Sequence, residues 1–290
     1  MIRPTATTQA AGRVILPTPS VGPWFGAGFV AAVLAWIVYQ VLVNPGFQWP
    51  IVGRYMLDPA VLRGVATTIE LTASVMALGA AVGILVALMR LSSGPILPLC
   101  AYAFTWFFRG VPVLVQLVFW YNLATLFPTL SLGIPFGGPK FYEISSTAAI
   151  SSFLAALLGL GLNEAAYMAE IIRAGLLSVD AGQADAGRAL GYRPAQLFRV
   201  VILPQAMRAI VPPTGNQVIG MLKFTSLASV VALSELMNSV ENIYTRTFET
   251  VPLLIVAGLW YLVMVSVLSA VQHLIERHYG RGVREAGGAA

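Results

Sequence analysis

Long apolar runs follow one another along the whole chain, and each has the length of a membrane-crossing helix. A helix rises 1.5 Å per residue, so about 20 residues cross about 30 Å of hydrocarbon. The runs are too continuous for the alternating strands of a membrane β-barrel. Six spans are predicted, at residues 24–43, 65–89, within 99–127, 144–172, 209–234 and 250–274.

The composition supports an all-α polytopic membrane protein. Of the 290 residues, 58% are hydrophobic and only 10% are charged, and the mean hydropathy is +0.80. Soluble domains carry about 25% charged residues, and disordered chains are charge-rich and apolar-poor, so both classes are excluded. The net charge of +5 is attributed to cytoplasmic loops and not to nucleic-acid binding.

The distribution of basic residues predicts that both termini are cytoplasmic. With the N-terminus inside, 12 of the 17 Lys and Arg residues fall on the inner side and four on the outer side, with Lys223 inside a span. The inner set is Arg3, Arg13, Arg90, Arg109, Arg173, Arg188, Arg193, Arg199, Arg208, Arg277, Arg281 and Arg284. The outer set is Arg54, Arg63, Lys140 and Arg246.

This orientation organises the chain into four parts. Residues 1–23 form a cytoplasmic tail, 24–61 a first span with its outer loop, 62–277 the main body, and 278–290 a second cytoplasmic tail. The first span is interpreted as a retained helix and not as a signal peptide, because its apolar stretch is full-length and no A-x-A cleavage site follows it.

The longest inner loop, at about 178–206, has the pattern of a helix–turn–helix. Residues 183–190 predict a short Ala-rich helix, Gly191 fits a left-handed helix end, and Pro194 fits the first position of a second helix. Ala186, Ala189 and Leu190 fall at i, i+3 and i+4 and form one small apolar ridge. From the residues alone, the ridge docks on a partner protein or lies on lipid headgroups.

The loop resembles the EAA loop of ABC-importer permeases. The sequence around it is similar to that of the polar amino-acid uptake branch, which contains the histidine-, glutamine- and glutamate-type permeases. The matching loop positions are Asp185, Ala186 and Gly187 for E-A-A, then Gly191, Leu203 and Pro204. Three further stretches agree in order: FFRGVPVLVQ at 107–116, EAAYMAEIIR at 164–173 and LKFTSL at 222–227. The resemblance covers roughly residues 62–277, and the first span lies outside it.

Some positions depart from the family's pattern. Asp185 replaces the usual Glu, and Gly187 replaces the second Ala, which loosens that helix by about 1 kcal/mol. Phe224 stands where this branch often has Asp after the Lys, so the acidic residue of that pattern is replaced here by an aromatic one.

The resemblance implies a permease subunit of an ATP-driven importer in a bacterial inner membrane. Two permease chains, identical or related, form the pathway, and their EAA loops dock on two cytoplasmic ATP-binding subunits. An extracytoplasmic solute-binding protein delivers the amino acid. The coupling role falls on Asp185, Ala186, Gly187, Ala189, Leu190, Gly191, Leu203 and Pro204.

Ionisable residues at membrane depth are candidates for function because lipid-facing charges are costly. Glu70 lies about 10 Å and Lys223 about 8 Å from the outer surface, so they are a candidate gate or ion pair, unless each only snorkels outward. Glu164 lies near the midplane, and Asn163, Tyr167 and Glu170 continue one polar stripe on the same helix at i, i+4 and i+7. Asn163, Glu164 and Tyr167 are the candidate substrate pathway, with structural hydrogen bonding between helices as the alternative.

Arg109 is interpreted differently. A count of 20 residues back from Pro128 places it near the inner interface, where an anchoring role is favoured over a ligand role.

No catalytic chemistry is predicted in the chain. It contains no G-x-x-x-x-G-K-[ST] loop, and its two histidines and one cysteine do not make a metal site, so ATP and Mg²⁺ belong to the partner. The chain is therefore interpreted as a non-enzymatic transport subunit. The alternative, from the residues alone, is an ion-coupled secondary transporter that uses Glu70, Glu164 and Lys223.

Overall fold

A computed structural model describes residues 22–133, 138 and 140–279 as a largely helical chain with one small hairpin. The first helices are α1 (Gly22–Val43), α2 (Trp49–Tyr55), α3 (Pro59–Arg90), α4 (Ile96–Gly110), α5 (Val113–Tyr121) and α6 (Leu123–Leu126). The strands β1 (Thr129–Gly133) and β2 (Lys140–Ser145) follow. The remaining helices are α7 (Ser146–Ala149), α8 (Ser152–Leu177), α9 (Ala181–Ala189), α10 (Pro194–Leu197), α11 (Leu203–Phe224), α12 (Leu236–Thr247) and α13 (Thr250–Tyr279).

The chain divides into two compact units, Met1–Gln48 and Trp49–Ala290. The first unit contains α1, a 22-residue helix without a charged residue. The second unit contains α2 to α13. Its α2 packs on α13, where the indole Nε1 of Trp260 donates to the carbonyl oxygen of Met56 at 2.9 Å. The packed second unit thus starts at Trp49, and the start of the permease core at 62 stays a prediction.

Helix length and hydropathy agree with a polytopic membrane protein. Among the described residues, four helices are long and apolar enough to cross a membrane, namely α1, α3, α8 and α13. Two bent helix pairs, α4 with α5 and the segment 194–231 with α12, bring the number to as many as six. Four to six spans are therefore supported, and three of the six predicted segments differ from the structure in detail.

The third predicted span is broken in the middle. α4 and α5 meet at an angle of 98°, with Val111 and Pro112 between them. Proline cannot donate a helical hydrogen bond and pushes the residue before it out of the helical region. Val111 accordingly has φ −89° and ψ 130°. The predicted third span is therefore a broken helix.

The fourth predicted span starts too early, because residues 140–145 form strand β2 and not helix. β1 and β2 pair antiparallel, with Thr129 opposite Ser145 and Leu132 opposite Tyr142. The long helix α8 begins only at Ser152, where the hydroxyl of Ser151 accepts a hydrogen bond from the N–H of Leu154 at 3.2 Å.

The fifth predicted span ends early, at Phe224. A 3₁₀ segment, Thr225–Val231, follows, and Ala232 takes the left-handed conformation with φ 54°. The fully buried Glu235 then starts α12, its carboxylate accepting from the N–H groups of Met237 at 2.9 Å and Asn238 at 2.8 Å. It also accepts from the hydroxyl of Tyr261 at 3.0 Å, which ties α12 to α13.

The core of the second unit is the close packing of α3 on α8. Gly79 and Gly83 form a G-x-x-x-G pattern on α3, which lets the two helix backbones approach. A Cβ on Gly79 would lie 2.7 Å from Cγ of Glu164. A Cβ on Gly83 would lie 2.7 Å from Cβ of Met168 and 3.1 Å from the carbonyl oxygen of Ala165. This interface fixes where α8 presents its polar stripe.

We expect Gly83→Ala to lower the free energy of unfolding by about 1–3 kcal/mol, because the new methyl group overpacks a rigid helix contact. The matched control is Gly258→Ala on α13, where the new Cβ meets no atom within 4 Å. Thermal unfolding of the two purified variants in detergent measures the difference. Equal stability of the two variants would contradict the packing described for α3 and α8.

Candidate substrate cavity

A cavity of about 500 Å³ lies where the break between α4 and α5 faces α8 and α11. Its wall combines one basic, one acidic and several amide or aromatic side chains with backbone of the broken helix. The lining residues are Arg109, Gly110, Val111, Pro112, Val113, Asn163, Glu164, Tyr167, Gln217, Gly220, Met221 and Phe224. All three residues predicted for the substrate pathway, Asn163, Glu164 and Tyr167, are thus brought together at one cavity.

Glu164 is the acidic group of the cavity and is only 2% exposed. Nε2 of Gln217 lies 3.3 Å from each of its carboxylate oxygens. Gly79 of α3 packs against the other side of its side chain. A buried carboxylate is strongly unfavourable unless it is paired or hydrogen-bonded. Because Gln217 is its only hydrogen-bond partner in the described part of the chain, Glu164 retains free acceptor capacity at the cavity.

Arg109 is the basic group of the cavity, which differs from the anchoring role that the sequence favoured. Its guanidinium carbon lies 5.1 Å from the centre of the Tyr167 ring, a cation–π contact between α4 and α8. The depth count assumed one straight helix from residue 109 to 127, and the 98° bend invalidates it. The break turns the end of α4, and Arg109 with it, towards the polar face of α8.

Asn163 lines the cavity, but its side-chain amide is already engaged. Nδ2 of Asn163 donates to the carbonyl oxygen of Phe108 at 2.6 Å, across from α8 to the end of α4. Nε2 of the buried Gln116 donates to the same oxygen at 2.9 Å. Sequence reasoning missed Gln116 and Gln217, because uncharged amides inside apolar runs give no depth or charge signal.

Glu70 and Lys223, the candidate gate or ion pair, are not brought together. Both side chains are exposed, and no ion pair within 4.0 Å joins them in this structure. Neither lines the cavity, although Phe224, the neighbour of Lys223, does. A gating role for the two residues stays a prediction.

The predicted helix–turn–helix of the inner loop is present with slightly shifted bounds. α9 covers Ala181–Ala189 and starts at Asp180, whose carboxylate accepts from the N–H of Gly182 at 2.8 Å. Gly191 has φ +79°, the left-handed conformation predicted for it. Pro194 opens α10 as predicted, and a π-helical segment, Phe198–Ile202, joins α10 to α11.

The small apolar ridge of α9 is exposed. Ala186 and Ala189 are exposed, and Leu190 at the end of the helix is 76% exposed. Gly187 is buried, and a Cβ there would collide with Cδ1 of Leu197 in α10. At the position of the second Ala of the E-A-A pattern, the end of the Leu197 side chain therefore occupies the space that a methyl group would take, and an Ala there would require Leu197 to move.

The other predicted coupling positions lie beside the ridge. Asp185 is exposed and forms an ion pair with Arg188 one turn further along α9. Leu203 and Pro204 open α11, directly after the π-helical segment. Among the described residues, no three His, Cys, Asp or Glu side chains come together as a metal site.

Broken helices around a polar cavity, in a chain of several apolar helices, are the arrangement of a membrane transport protein. The chain belongs to the family of binding-protein-dependent transport system inner membrane components, whose family model matches residues 79–281. The matched range contains the cavity and the loop with α9 and α10. The protein is therefore an inner-membrane permease subunit.

Two relatives and one solved structure illustrate this membership. The chain is 42% identical to the arginine transport system permease protein ArgU of Corynebacterium glutamicum. The alignment spans 279 residues and covers 96% of this chain and 86% of that protein. It is 36% identical to the nopaline transport system permease protein NocM of Agrobacterium fabrum, over 75% of this chain and 87% of that one. A crystal structure of an amino acid ABC transporter with histidines matches 76% of this chain and 94% of its own, with 34% identity and a TM-score of 0.64.

Proposed function

We propose that this permease carries a polar amino acid through the cavity between the broken helix α4–α5 and α8. The observation that carries the proposal is that Glu164 and Arg109 line the same cavity, which has a volume of about 500 Å³. A zwitterion requires both a cation and an anion acceptor, and this cavity supplies one of each. L-arginine is the first substrate to test, because the relative with 42% identity is named as an arginine permease.

The side chains have distinct roles in this proposal. Glu164 accepts the ammonium group, since Gln217 occupies only part of its acceptor capacity. Arg109 leaves the face of Tyr167 and holds the α-carboxylate with two parallel hydrogen bonds, the geometry that suits a guanidinium. The ring of Tyr167 then becomes free for a cationic or planar substrate side chain.

The orientation and organisation of the chain are part of the same proposal. The excess of basic residues on one side supports cytoplasmic termini. On this orientation the loop with α9 and α10 lies in the cytoplasm, and the β1–β2 hairpin and α12 lie outside. Residues 24–61 supply an additional N-terminal span, and 62–277 supply the permease core.

The exposed ridge of α9 is the proposed docking surface for the ATP-binding subunits. Exposed Ala186 and Ala189 allow close approach of a partner groove, and Leu190 supplies an apolar contact. Asp185, Gly187, Gly191, Leu203 and Pro204 shape the loop around this ridge. Two such subunits bind ATP and Mg²⁺ and hydrolyse the nucleotide, a second permease chain completes the pathway, and an extracytoplasmic binding protein delivers the amino acid.

A cysteine introduced at position 189 tests the docking surface. In a Cys100→Ser background, because Cys100 is free and exposed, we expect Ala189→Cys to crosslink to an ATP-binding subunit in membranes. The control is Thr245→Cys, an exposed position on α12, which is expected to give no such adduct. Labelling of the introduced thiol on α9 by lipid-side reagents alone, without a protein adduct, would contradict docking.

The alternative of an ion-coupled secondary transporter is not favoured. It requires Glu70, Glu164 and Lys223 to act along one ion pathway, but only Glu164 lines the cavity. The family membership also supports a transport system powered by a separate subunit.

A further inference from the structure

The carbonyl oxygen of Phe108, near the end of α4, has lost its helical hydrogen-bond donor. In a continuous helix the N–H of the fourth residue along would donate to it. That residue is Pro112, which has no N–H. Two side-chain amides donate to the oxygen instead, Nε2 of Gln116 at 2.9 Å and Nδ2 of Asn163 at 2.6 Å. Gln116 also donates to the carbonyl oxygen of Val111 at 2.9 Å.

These three hydrogen bonds join three helices at the wall of the cavity. The oxygen belongs to α4 immediately before Arg109, Gln116 belongs to α5, and Asn163 belongs to α8 immediately before Glu164. Backbone carbonyls without a donor are strongly unfavourable at membrane depth. The bonds therefore fix the bend of 98° and, with it, the position of Arg109 relative to Glu164.

Gln116 acts on this geometry without reaching the cavity itself. Its side chain is 4% exposed and is absent from the cavity wall. Its Oε1 accepts no hydrogen bond from the described residues, so the donated bonds are its specific contribution. Without them, the carbonyl of Val111 has no side-chain donor, and that of Phe108 keeps only Asn163.

We propose that Gln116 is a positioning residue for substrate recognition. It holds the segment from Phe108 to Val111 in the bent conformation that places Arg109 opposite Glu164. This inference rests on the proposed function of the cavity as an amino-acid site. The energetic reason is that recognition of two charged groups at once depends on their separation, and a shift of about 1 Å in such a site costs up to about 100-fold.

Gln116→Met tests the inference, because Met has a similar length and no donor. In proteoliposomes with the ATP-binding and solute-binding subunits, we expect the KM for L-arginine to rise about tenfold while kcat changes less than about threefold. Hydrogen exchange of the backbone amides at residues 107–115 should also become faster.

The matched control is Gln272→Met on α13. Gln272 is 6% exposed, its Nε2 donates to the carbonyl oxygen of Pro212 at 2.8 Å, and its Oε1 is also without a partner. It does not line the cavity. We expect this variant to lose stability to a similar extent and to keep the wild-type KM and the wild-type exchange at 107–115.

Each outcome decides the question. If hydrogen exchange at residues 107–115 is unchanged in Gln116→Met, the positioning role is overturned whatever the substrate is. If hydrogen exchange is faster but the KM for L-arginine is unchanged, the positioning role is also overturned. An equal rise in KM in both variants shows a merely structural effect and also overturns it.

If Gln116→Met does not assemble, Gln116→Glu is measured in its place, since a protonated carboxyl keeps one of the two donated bonds and should give a smaller rise in KM. A wild-type complex that imports no amino acid refutes the proposed function, while the exchange measurement still tests Gln116.

Discussion

Replacement of Glu164 by Gln is expected to raise the KM for import of L-arginine about 100-fold. The variant keeps the size of the side chain and its hydrogen bond with Gln217, but it loses the negative charge that would meet the ammonium group. Removal of one partner from a desolvated charge pair costs about 2–5 kcal/mol, and about 2.7 kcal/mol corresponds to 100-fold in affinity. Initial rates of uptake into proteoliposomes over a range of L-arginine concentrations give the value.

The control for this prediction is Glu170→Gln, which removes the same charge from the same helix. Glu170 pairs with Arg173 at 2.8 Å and with Arg90 at 3.7 Å, and it does not line the cavity. Its replacement should lower stability and leave KM within about threefold of wild type. If Glu164→Gln and Glu170→Gln have the same KM, Glu164 is not in the substrate pathway.

Replacement of Gly191 by Val is expected to abolish import while the complex still assembles. Gly191 has φ +79°, a conformation in which a β-branched residue is a genuine outlier. A Cβ there would meet no atom within 4 Å, so the only cost is in the backbone. The turn between α9 and α10 should then change, and ATP hydrolysis should no longer respond to the loaded binding protein.

The control for Gly191→Val is Gly191→Asn, because Asn tolerates the left-handed region far better. Import by the Asn variant should stay within about fivefold of wild type. The measurement is ATP hydrolysis and L-arginine uptake in the same proteoliposomes. An equal loss of import in both variants would show that position 191 cannot accept any side chain, and that the positive φ is not the reason.

The sequence predicted the apolar segments and their order, because length and hydropathy decide where helices cross a membrane, while the described residues give four such helices, or six if each bent pair is one span. It did not predict the bend at Val111 and Pro112, although the signal was present: a proline within an apolar run ends or kinks a helix at the residue before it. That omission also removes the basis of the depth count for Arg109, since the count assumed a straight helix. Counting residues along a span therefore gives the membrane depth of a charged residue only where the helix has no internal break.

One side of the cavity could be predicted, and the sides formed by other helices could not. Asn163, Glu164 and Tyr167 lie on one face of α8, so helical periodicity alone groups them. Arg109 and Gln217 come from two other helices, and nothing in a single sequence indicates which faces of those helices meet α8. The hairpin β1–β2 was missed because hydropathy gives no signal for two short strands in the loop between two spans.

Amino-acid binding in the cavity is tested most directly by a cryo-EM structure of the purified transporter with L-arginine at saturating concentration. We expect density for one amino acid in the cavity, with its ammonium group at Glu164, its carboxylate at Arg109, and the Arg109 guanidinium moved off the ring of Tyr167. An amino acid bound elsewhere in the membrane region, with Arg109 still over Tyr167 and the cavity without ligand density, would contradict it.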